Sequence, residues 1–457
     1  MSLEEHDGFH DVFEDQLTME EWEAYLQNYE VSSFPDESVR LCAEGVFQSI
    51  CKQMAILILC SLLQGFSTPL RLKSPRFYDV LLCWIGLACL AYILPTTSTV
   101  YLVTLYAVFF VVLKALCGGL TCFKLISGAY SFMFLIGCQN LLDDAAFVSF
   151  RGALMIQIMK SVSISFDLST QITGVSNFSL LAYLLNPGTL VFGPFITYDN
   201  FYNAKGLLQL GPNTFFKAFV AFLQSLVFLF TSTCLLDTYF SEWYDSHSIL
   251  KEYKTALSFR LSHYYICYLS LASCLFSGIE IEQVSDWKLI EFPRSMVDVV
   301  VGWNVPMNHF LHKCVFNHSR KYGHLLAVMT TFLASSLLHG FNFQLTAVLL
   351  SLGIYSFAEN QFRSRLSRRM NACVKARKCF EDCCHTHKSI SVRATLVNFL
   401  FCLLSVYHLI YLGMVFDDSE SQTSGYSMAH TISRWCEWNF SSHIVTGTML
   451  LLGYTVL

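Results

Sequence analysis

Charged residues are scarce in this chain of 457 residues: Asp, Glu, Lys and Arg make up 14% of it, against about 25% in a typical soluble domain. So few ions cannot cover a water-soluble protein of this size. This composition also excludes a disordered chain, which combines high charge with low hydrophobicity. It offers no basic face for nucleic acid, so no nucleic-acid partner is expected. The hydrophobic fraction is 54% and occurs in long runs. The sequence therefore predicts an all-α polytopic membrane protein.

The few charges are unevenly distributed. Residues 1–40 contain twelve acids and a single base, Arg40, which leaves 22 acids and 28 bases for the remaining chain, a net charge of +6. The acidic head lacks the positive start and apolar core of a secretory signal peptide, so membrane entry is expected to depend on the first spanning helix. Residues 1–45 are predicted to be an acidic tail or a surface helix, and residues 46–457 the membrane domain.

Apolar runs long enough to span a bilayer define the expected helices. The clear candidates lie at about 46–65, 77–95, 97–117, 122–141, 214–236, 261–279, 322–339, 342–359, 390–415 and 440–457. Shorter or interrupted runs at about 145–166, 180–197 and 292–316 contain prolines and charges, which are tolerated at membrane depth where the backbone lines a cavity. We expect roughly 8–11 spanning helices with re-entrant or interfacial helices around that cavity.

Two common features of transport proteins are missing. The sequence contains no internal repeat, so the inverted-repeat design of many transporters is not supported, and it shows no paired intramembrane acids. The helix count disfavours a seven-helix receptor. An enzyme is favoured. A protein that only escorts its partner, without catalysing a reaction, remains an alternative, because a sequence does not show whether turnover occurs.

The segment 360–388 is the best marker of orientation. Seven of its bases are crowded into residues 363–378: Arg363, Arg365, Arg368, Arg369, Lys375, Arg377 and Lys378. The positive-inside rule places this basic, Cys/His-rich loop in the cytosol. Counting helices outward from it places His339 in the far, non-cytosolic half of the membrane.

His339 is the one strongly polar side chain near the middle of residues 322–358, a stretch without Lys, Arg, Asp or Glu. Ser335 and Ser336 precede it by four and three residues, on the same helical face. An ionisable residue at membrane depth is a functional hypothesis, and histidine is well suited to move a proton near neutral pH. A buried histidine bonded to a backbone carbonyl is an equal alternative at this stage.

Asn304 is the second candidate, because Pro306 interrupts the helix that contains it. An amide at a helix break can orient a carbonyl or a hydroxyl, and it can equally cap a helix. Trp303 precedes it and Arg294 lies ten residues upstream, in the same interrupted run. His309 and His312 show no third metal ligand and are interpreted as interfacial.

The chain has 18 cysteines, most of them single residues in apolar runs, where they behave as small hydrophobes. They do not imply a disulfide framework. One cluster is unusual: Cys373, Cys379, Cys383, Cys384, His385 and His387. Short Cys and His spacing is compatible with zinc, but the spacing is not the standard C-x2-C pair. Acylated cysteines and plain thiols remain alternatives.

An intramembrane asparagine followed 35 residues later by a histidine in an uncharged helix resembles the signature of the membrane-bound O-acyltransferase family. The resemblance is close over residues 292–307, 334–343 and 345–352. Weaker likeness occurs at 151–155, 159–167, 191–195 and 425–429, so it extends over about 150–435. The Pro-Arg-Ser-Met and Trp-Asn-x-Pro-Met blocks resemble the Wnt-acylating members rather than those that modify lipid, ghrelin or hedgehog.

The resemblance implies a reaction and its residues. The enzyme would move palmitoleoyl from palmitoleoyl-CoA to a serine hydroxyl of Wnt proteins in the endoplasmic reticulum membrane, enabling Wnt secretion, and would need no cofactor. The family's catalytic histidine corresponds to His339 and its asparagine to Asn304. A through-membrane tunnel would join donor and acceptor, with Arg294, Trp303, Ser335 and Ser336 as candidate tunnel residues.

Overall fold

The computed structural model of the chain describes residues 35–168, 175–202, 210–240, 248–380, 382–417 and 427–455. Within these ranges the chain is helical, and its β-structure is limited to an isolated pairing of Ala372 with His387. The predicted all-α fold is confirmed.

The helices are numbered here in chain order. They are α1 (Pro35–Lys73), α2 (Pro75–Ile93), α3 (Thr97–Cys117), α4 (Phe123–Leu141), α5 (Asp144–Leu168), α6 (Asn177–Leu184), α7 (Pro187–Leu190), α8 (Tyr198–Tyr202), α9 (Pro212–Phe230), α10 (Leu236–Tyr239), α11 (Ser248–Phe276), α12 (Trp287–Glu291), α13 (Met296–Trp303), α14 (Val305–Leu311), α15 (Asn317–Ser319), α16 (His324–Leu338), α17 (Phe343–Met370), α18 (Val392–Gly413), α19 (Met428–Glu437) and α20 (Ser441–Thr455). A π-helical turn, Thr231–Leu235, joins α9 to α10, and another, His312–Phe316, follows α14.

Six helices of the described chain are long and apolar enough to cross a membrane: Glu37–Lys73 of α1, α2, α3, α5, the continuous run Pro212–Tyr239, and α18. The prediction of a multi-pass membrane protein is confirmed. Other long helices, such as α17, mix apolar residues with polar ones and do not meet that criterion. The expected total of roughly 8–11 spans therefore stays a prediction.

Several helices differ in their bounds from the sequence prediction, and three of these differences affect the interpretation. The run expected to be interrupted at 145–166 is one continuous, largely buried helix, α5. Helix α1 begins at Pro35 and crosses the expected boundary at residue 45, while residues 1–34 lie outside the described residues. Helix α17 continues to Met370, so the first part of the expected loop 360–388 is helical. Arg and Glu are good helix formers, so a loss of hydrophobicity marks the membrane surface and does not end a helix.

The helix break between α13 and α14 occurs at Asn304, as Pro306 predicted. The extended backbone of Asn304 (φ −147°, ψ 95°) ends α13 and caps α14. Pro306 lies in the first turn of α14, where no intrahelical N–H bond is required. A short segment after α11 supports the break, because Val305 N–H donates to the Val284 carbonyl at 2.8 Å and Asp286 N–H to the Gly302 carbonyl at 2.9 Å.

Helix α18 separates two polar ends of the protein. The Cys/His-rich loop precedes its first residue. Beyond its last residue, Arg434 pairs with Glu252 at 2.6 Å and lies 3.9 Å from Asp417. At the same end Lys254 pairs with Asp237. The adjacent π-helical turn carries Cys234, which is disulfide-bonded to Cys42 of α1; the sequence did not predict this bond.

Candidate active site

A largely apolar cavity of about 500 Å³ lies among α5, α11, the broken helix α13–α14, α16, α17 and α18. Four of the six residues predicted for catalysis or the tunnel line it: His339, Asn304, Trp303 and Ser335. The cavity therefore brings together the asparagine and the histidine, although 35 residues separate them in the chain. An apolar wall with a few convergent polar groups is typical of a ligand site.

His339 lies at the end of α16, where the helix is terminated by Gly340. The φ of Gly340 is +88°, a conformation that residues with a Cβ rarely adopt, and a Cβ there would lie 2.9 Å from the Phe147 ring. The carbonyl of His339 accepts a hydrogen bond from Arg151 Nη1 at 3.3 Å. Among the hydrogen bonds of the described residues, none engages the His339 ring, so its nitrogens remain for a substrate.

The turn after His339 is held in place by Gln139 of α4. Its side-chain amide donates to the Phe341 carbonyl at 2.9 Å and accepts from the Phe341 N–H at 2.7 Å. Asn342 then caps α17, because its side chain accepts from the Leu345 N–H at 2.9 Å. These contacts fix the backbone on both sides of Gly340, and with it the position of His339.

The amide of Asn304 is oriented by its own helix. The side-chain oxygen accepts a hydrogen bond from the Met307 N–H at 3.0 Å. Because a backbone N–H can only donate, the atom facing it must be the amide oxygen. The amide nitrogen, with its two donors, is therefore the part of Asn304 that is left for a ligand.

His263 of α11 is a cavity residue that the sequence analysis missed. Its ring stacks on the Trp303 ring with centroids 4.4 Å apart, and its Nε2 lies 2.9 Å from the Trp303 carbonyl. A carbonyl only accepts, so Nε2 must carry the proton. His263 thus holds the residue that precedes Asn304. The only sequence signal was a histidine near the start of an apolar run.

Two predicted tunnel residues lie away from the cavity. Arg294 donates to the Cys373 carbonyl at 2.7 Å and to the Lys375 carbonyl at 3.1 Å, so it contacts the Cys/His-rich loop. Ser336 is fully buried and its hydroxyl donates to the Leu333 carbonyl of its own helix at 2.8 Å. The structure does not bring either side chain to His339.

A second cavity of about 650 Å³ lies on the other side of the broken helix. Val297, Val300 and Val301 of α13 line it, whereas Val299 and Trp303 of the same helix line the first cavity. The second cavity is basic, and we call it the basic cavity. Its Lys, Arg and His lining residues are His312, Arg320, His324, Lys375, Arg377, Lys378 and His385. The two cavities thus share the wall formed by α13 and α14.

Four of the six predicted zinc candidates meet in the Cys/His-rich loop. The ligand atoms of Cys373, Cys379, Cys383 and His385 all lie within 4.8 Å of one another, whereas Cys384 and His387 are not in the group. Hydrogen bonds with Cys373 and His385 lower the pKa of the Cys383 thiol to about 6, while burial raises the pKa of Cys373 to about 11. A lowered pKa favours the thiolate of Cys383, the form that binds metals.

Comparison with known proteins identifies relatives over most of the chain. The model of MBOAT, the membrane-bound O-acyltransferase family, matches residues 95–380. A Homo sapiens protein named protein-serine O-palmitoleoyltransferase porcupine is 36% identical over 345 residues, which cover 68% of this chain and 74% of the relative. A protein of the same name from Caenorhabditis briggsae is 32% identical, over 70% of this chain and 74% of the relative. Another from Drosophila melanogaster is 29% identical, over 66% of this chain and 63% of the relative.

Proposed function

The chain belongs to the membrane-bound O-acyltransferase family, and we propose that it is a protein-serine O-palmitoleoyltransferase of the endoplasmic reticulum membrane. Its donor is palmitoleoyl-CoA and its acceptor is a serine hydroxyl of a Wnt protein. The observation that carries this proposal is that His339 and Asn304 line one apolar cavity inside a bundle of membrane-spanning helices.

His339 is the general base in the proposed reaction. A serine hydroxyl is a weak nucleophile until a positioned base removes its proton. As the serine oxygen attacks the thioester carbonyl carbon, the imidazole takes the hydroxyl proton. The C–S bond then breaks, the ester forms, and the leaving CoA thiolate takes from the imidazolium the proton that came from serine. The free ring of His339, held by a backbone that Arg151 and Gln139 fix, suits this task.

Asn304 stabilises the oxygen of the thioester carbonyl. Negative charge develops there during attack, and donors fixed in advance lower the barrier. Since the Asn304 oxygen already accepts from the Met307 N–H, the NH₂ group is the part of the amide with no partner among the described residues, and its two donors suit a carbonyl oxygen. This refines the role of Asn304 to a donor towards the carbonyl. His263 and Trp303 position it.

The two cavities match the two parts of the donor. The phosphates of CoA require charge-assisted hydrogen bonds, which Lys and Arg supply, and the basic cavity offers Arg320, Lys375, Arg377 and Lys378. The acyl chain requires an apolar wall, which the first cavity offers. The broken helix stands between them, so the thioester is expected to lie beside Asn304, with CoA on the cytosolic side and serine arriving from the other.

Transfer in a defined system tests the proposed function. We expect the purified protein in lipid to attach palmitoleoyl from palmitoleoyl-CoA to a Wnt-derived peptide that contains the acceptor serine, detected by mass spectrometry. The same peptide with alanine at that position is the control and should stay unmodified. Failure of the active, folded protein to modify the serine peptide would reject the acceptor that we propose.

The assigned donor site makes a separate prediction. Replacing Arg377 and Lys378 together by glutamine removes two exposed cations of the basic cavity, and we expect the KM for palmitoleoyl-CoA to rise about tenfold or more, because each charge-assisted contact is worth roughly 1.5–3 kcal/mol. The turnover number at saturating donor should change little. Steady-state kinetics with varied donor concentration measures both constants.

The matched control replaces Arg368 and Arg369 by glutamine. These bases are exposed, lie in the same basic segment, and are not among the residues that line the basic cavity. The charge lost is identical. An equal rise in KM in both double variants would point to general attraction of the anionic donor, and an unchanged KM in the first would place CoA elsewhere.

A further inference from the structure

The cysteines and histidine of the Cys/His-rich loop form an arrangement that the acyl transfer reaction does not use. Cys373 Sγ lies 3.3 Å from Cys383 Sγ and 3.6 Å from His385 Nδ1, and Cys379 Sγ lies 3.7 Å from the same nitrogen. Around a tetrahedral zinc ion with bonds of about 2.3 Å to sulfur and 2.0–2.1 Å to nitrogen, ligand atoms are separated by roughly 3.5–3.8 Å. The two sulfur–nitrogen distances fall within this range, and the sulfur–sulfur distance is somewhat shorter. From this close grouping of three sulfurs and one nitrogen we infer that Cys373, Cys379, Cys383 and His385 bind a structural zinc ion.

The ring of His385 is oriented for metal binding. Its Nε2 lies 3.1 Å from the hydroxyl oxygen of Ser367, and that hydroxyl donates its own proton to the Ala372 carbonyl at 2.6 Å. The Ser367 oxygen must therefore accept from the His385 N–H, so the proton is on Nε2. The unprotonated Nδ1 then faces the sulfur atoms, which is the tautomer that a zinc ligand needs, with its second nitrogen held by a hydrogen bond.

The backbone around Cys373, the first of the four ligands, is independently fixed. Arg294 and Arg363 donate to the carbonyls of Cys373 and Val374, each at 2.7 Å. Cys373 N–H donates to the His387 carbonyl at 2.9 Å. His387 thus supports the loop through its main chain and is not a ligand. A preformed site of this kind does not have to order the chain when the ion binds.

Four protein ligands leave no open coordination position, so the ion serves structure and not the acyl transfer. Cys379, Cys383 and His385 also line the basic cavity beside Lys375, Arg377 and Lys378. The zinc ion therefore fixes the part of the loop that presents these bases. This consequence depends on the proposed donor site, whereas the zinc ion itself can be tested without any assay of activity.

Metal content tests the inference directly. Elemental analysis of the full chain, purified without chelators, is expected to give about one zinc per protein, and X-ray absorption at the zinc edge is expected to report three sulfur ligands at about 2.3 Å and one nitrogen at about 2.0–2.1 Å. Zinc well below one per chain, iron in its place, or cysteines of the group found acylated by mass spectrometry would overturn the inference.

Matched variants identify the ligands. Cys379→Ser combined with Cys383→Ser should lose the zinc, and Cys384→Ser, in the adjacent residue outside the group, should retain it. His385→Ala should lose the ion, and His385→Cys should keep it, because four thiolates also form a closed zinc site. This last variant separates loss of a ligand from failure to fold. Full zinc in the double serine variant would contradict the assignment.

Discussion

Replacing His339 by alanine is expected to lower the turnover number for palmitoleoyl transfer by about 10²–10⁴-fold, which is the usual contribution of a positioned general base. The serine hydroxyl would still reach the cavity, but nothing would accept its proton. The protein should remain folded in the membrane, because the contacts around residue 339 use its main chain. The measurement is the rate of peptide acylation at saturating palmitoleoyl-CoA, alongside thermal unfolding of the solubilised variant.

Two other histidines serve as controls. His309 is exposed on α14 and does not line the cavity, so His309→Ala should acylate at the normal rate. His263 lies in the cavity, but its Nε2–H faces the Trp303 carbonyl. Its replacement should weaken the positioning of Asn304 without removing the base. If His263→Ala were inactive while His339→Ala kept its activity, the two roles would have to be exchanged.

Replacing Glu359 by alanine should destabilise the protein by about 3–5 kcal/mol, the usual cost of leaving one member of a buried ion pair without its partner. Glu359 and Arg363, four residues apart on α17, are 2% and 0% exposed and lie 2.8 Å apart. The Glu359 carboxylate also accepts the Met296 N–H at the start of α13, at 2.8 Å. The unfolding temperature of the solubilised protein should fall by roughly 3–5 °C, because the entropy of unfolding scales with chain length.

An exposed pair with the same spacing is the control. Arg40 and Glu44 of α1 are also four residues apart and 2.9 Å from each other, but their side chains are 78% and 54% exposed. Exposed helical pairs of this spacing are worth about 0.3–0.5 kcal/mol. Glu44→Ala should therefore leave the unfolding temperature almost unchanged. A similar fall in unfolding temperature in both variants would mean that burial does not strengthen the Glu359–Arg363 pair.

The parts of the site that follow local rules were predictable from the sequence. Pro306 marks the break at Asn304 because proline removes a backbone donor. His339 stands out because it is the strongly polar residue in an uncharged run. Ser335, one helical turn before His339, lines the same cavity. Ser336 does not, because its hydroxyl bonds to the backbone of its own helix, a choice that helical spacing does not determine.

Contacts between distant helices could not be predicted. Arg151 reaches the carbonyl of a residue 188 positions away, and His263 stacks on Trp303 across 40 positions. No periodicity within one helix reports which neighbour it meets. Arg294 illustrates the same limit. From the sequence its side chain could line the cavity or contact a loop, and in the structure it donates hydrogen bonds to carbonyls of the Cys/His-rich loop.

The disulfide between Cys42 and Cys234 means that oxidised and reduced cysteines lie at opposite ends of the protein. It lies near the acidic end of α18, whereas the cysteines of the Cys/His-rich loop, which form no disulfide, lie at the basic end. The two ends are separated by a helix of 22 residues, or about 33 Å. Disulfides persist in the oxidising lumen of the endoplasmic reticulum, and glutathione keeps thiols reduced in the cytosol. Only one membrane orientation satisfies both sulfur states. It is the orientation that the basic residues also favour, and in it His339 is expected to lie in the half of the membrane away from the cytosol.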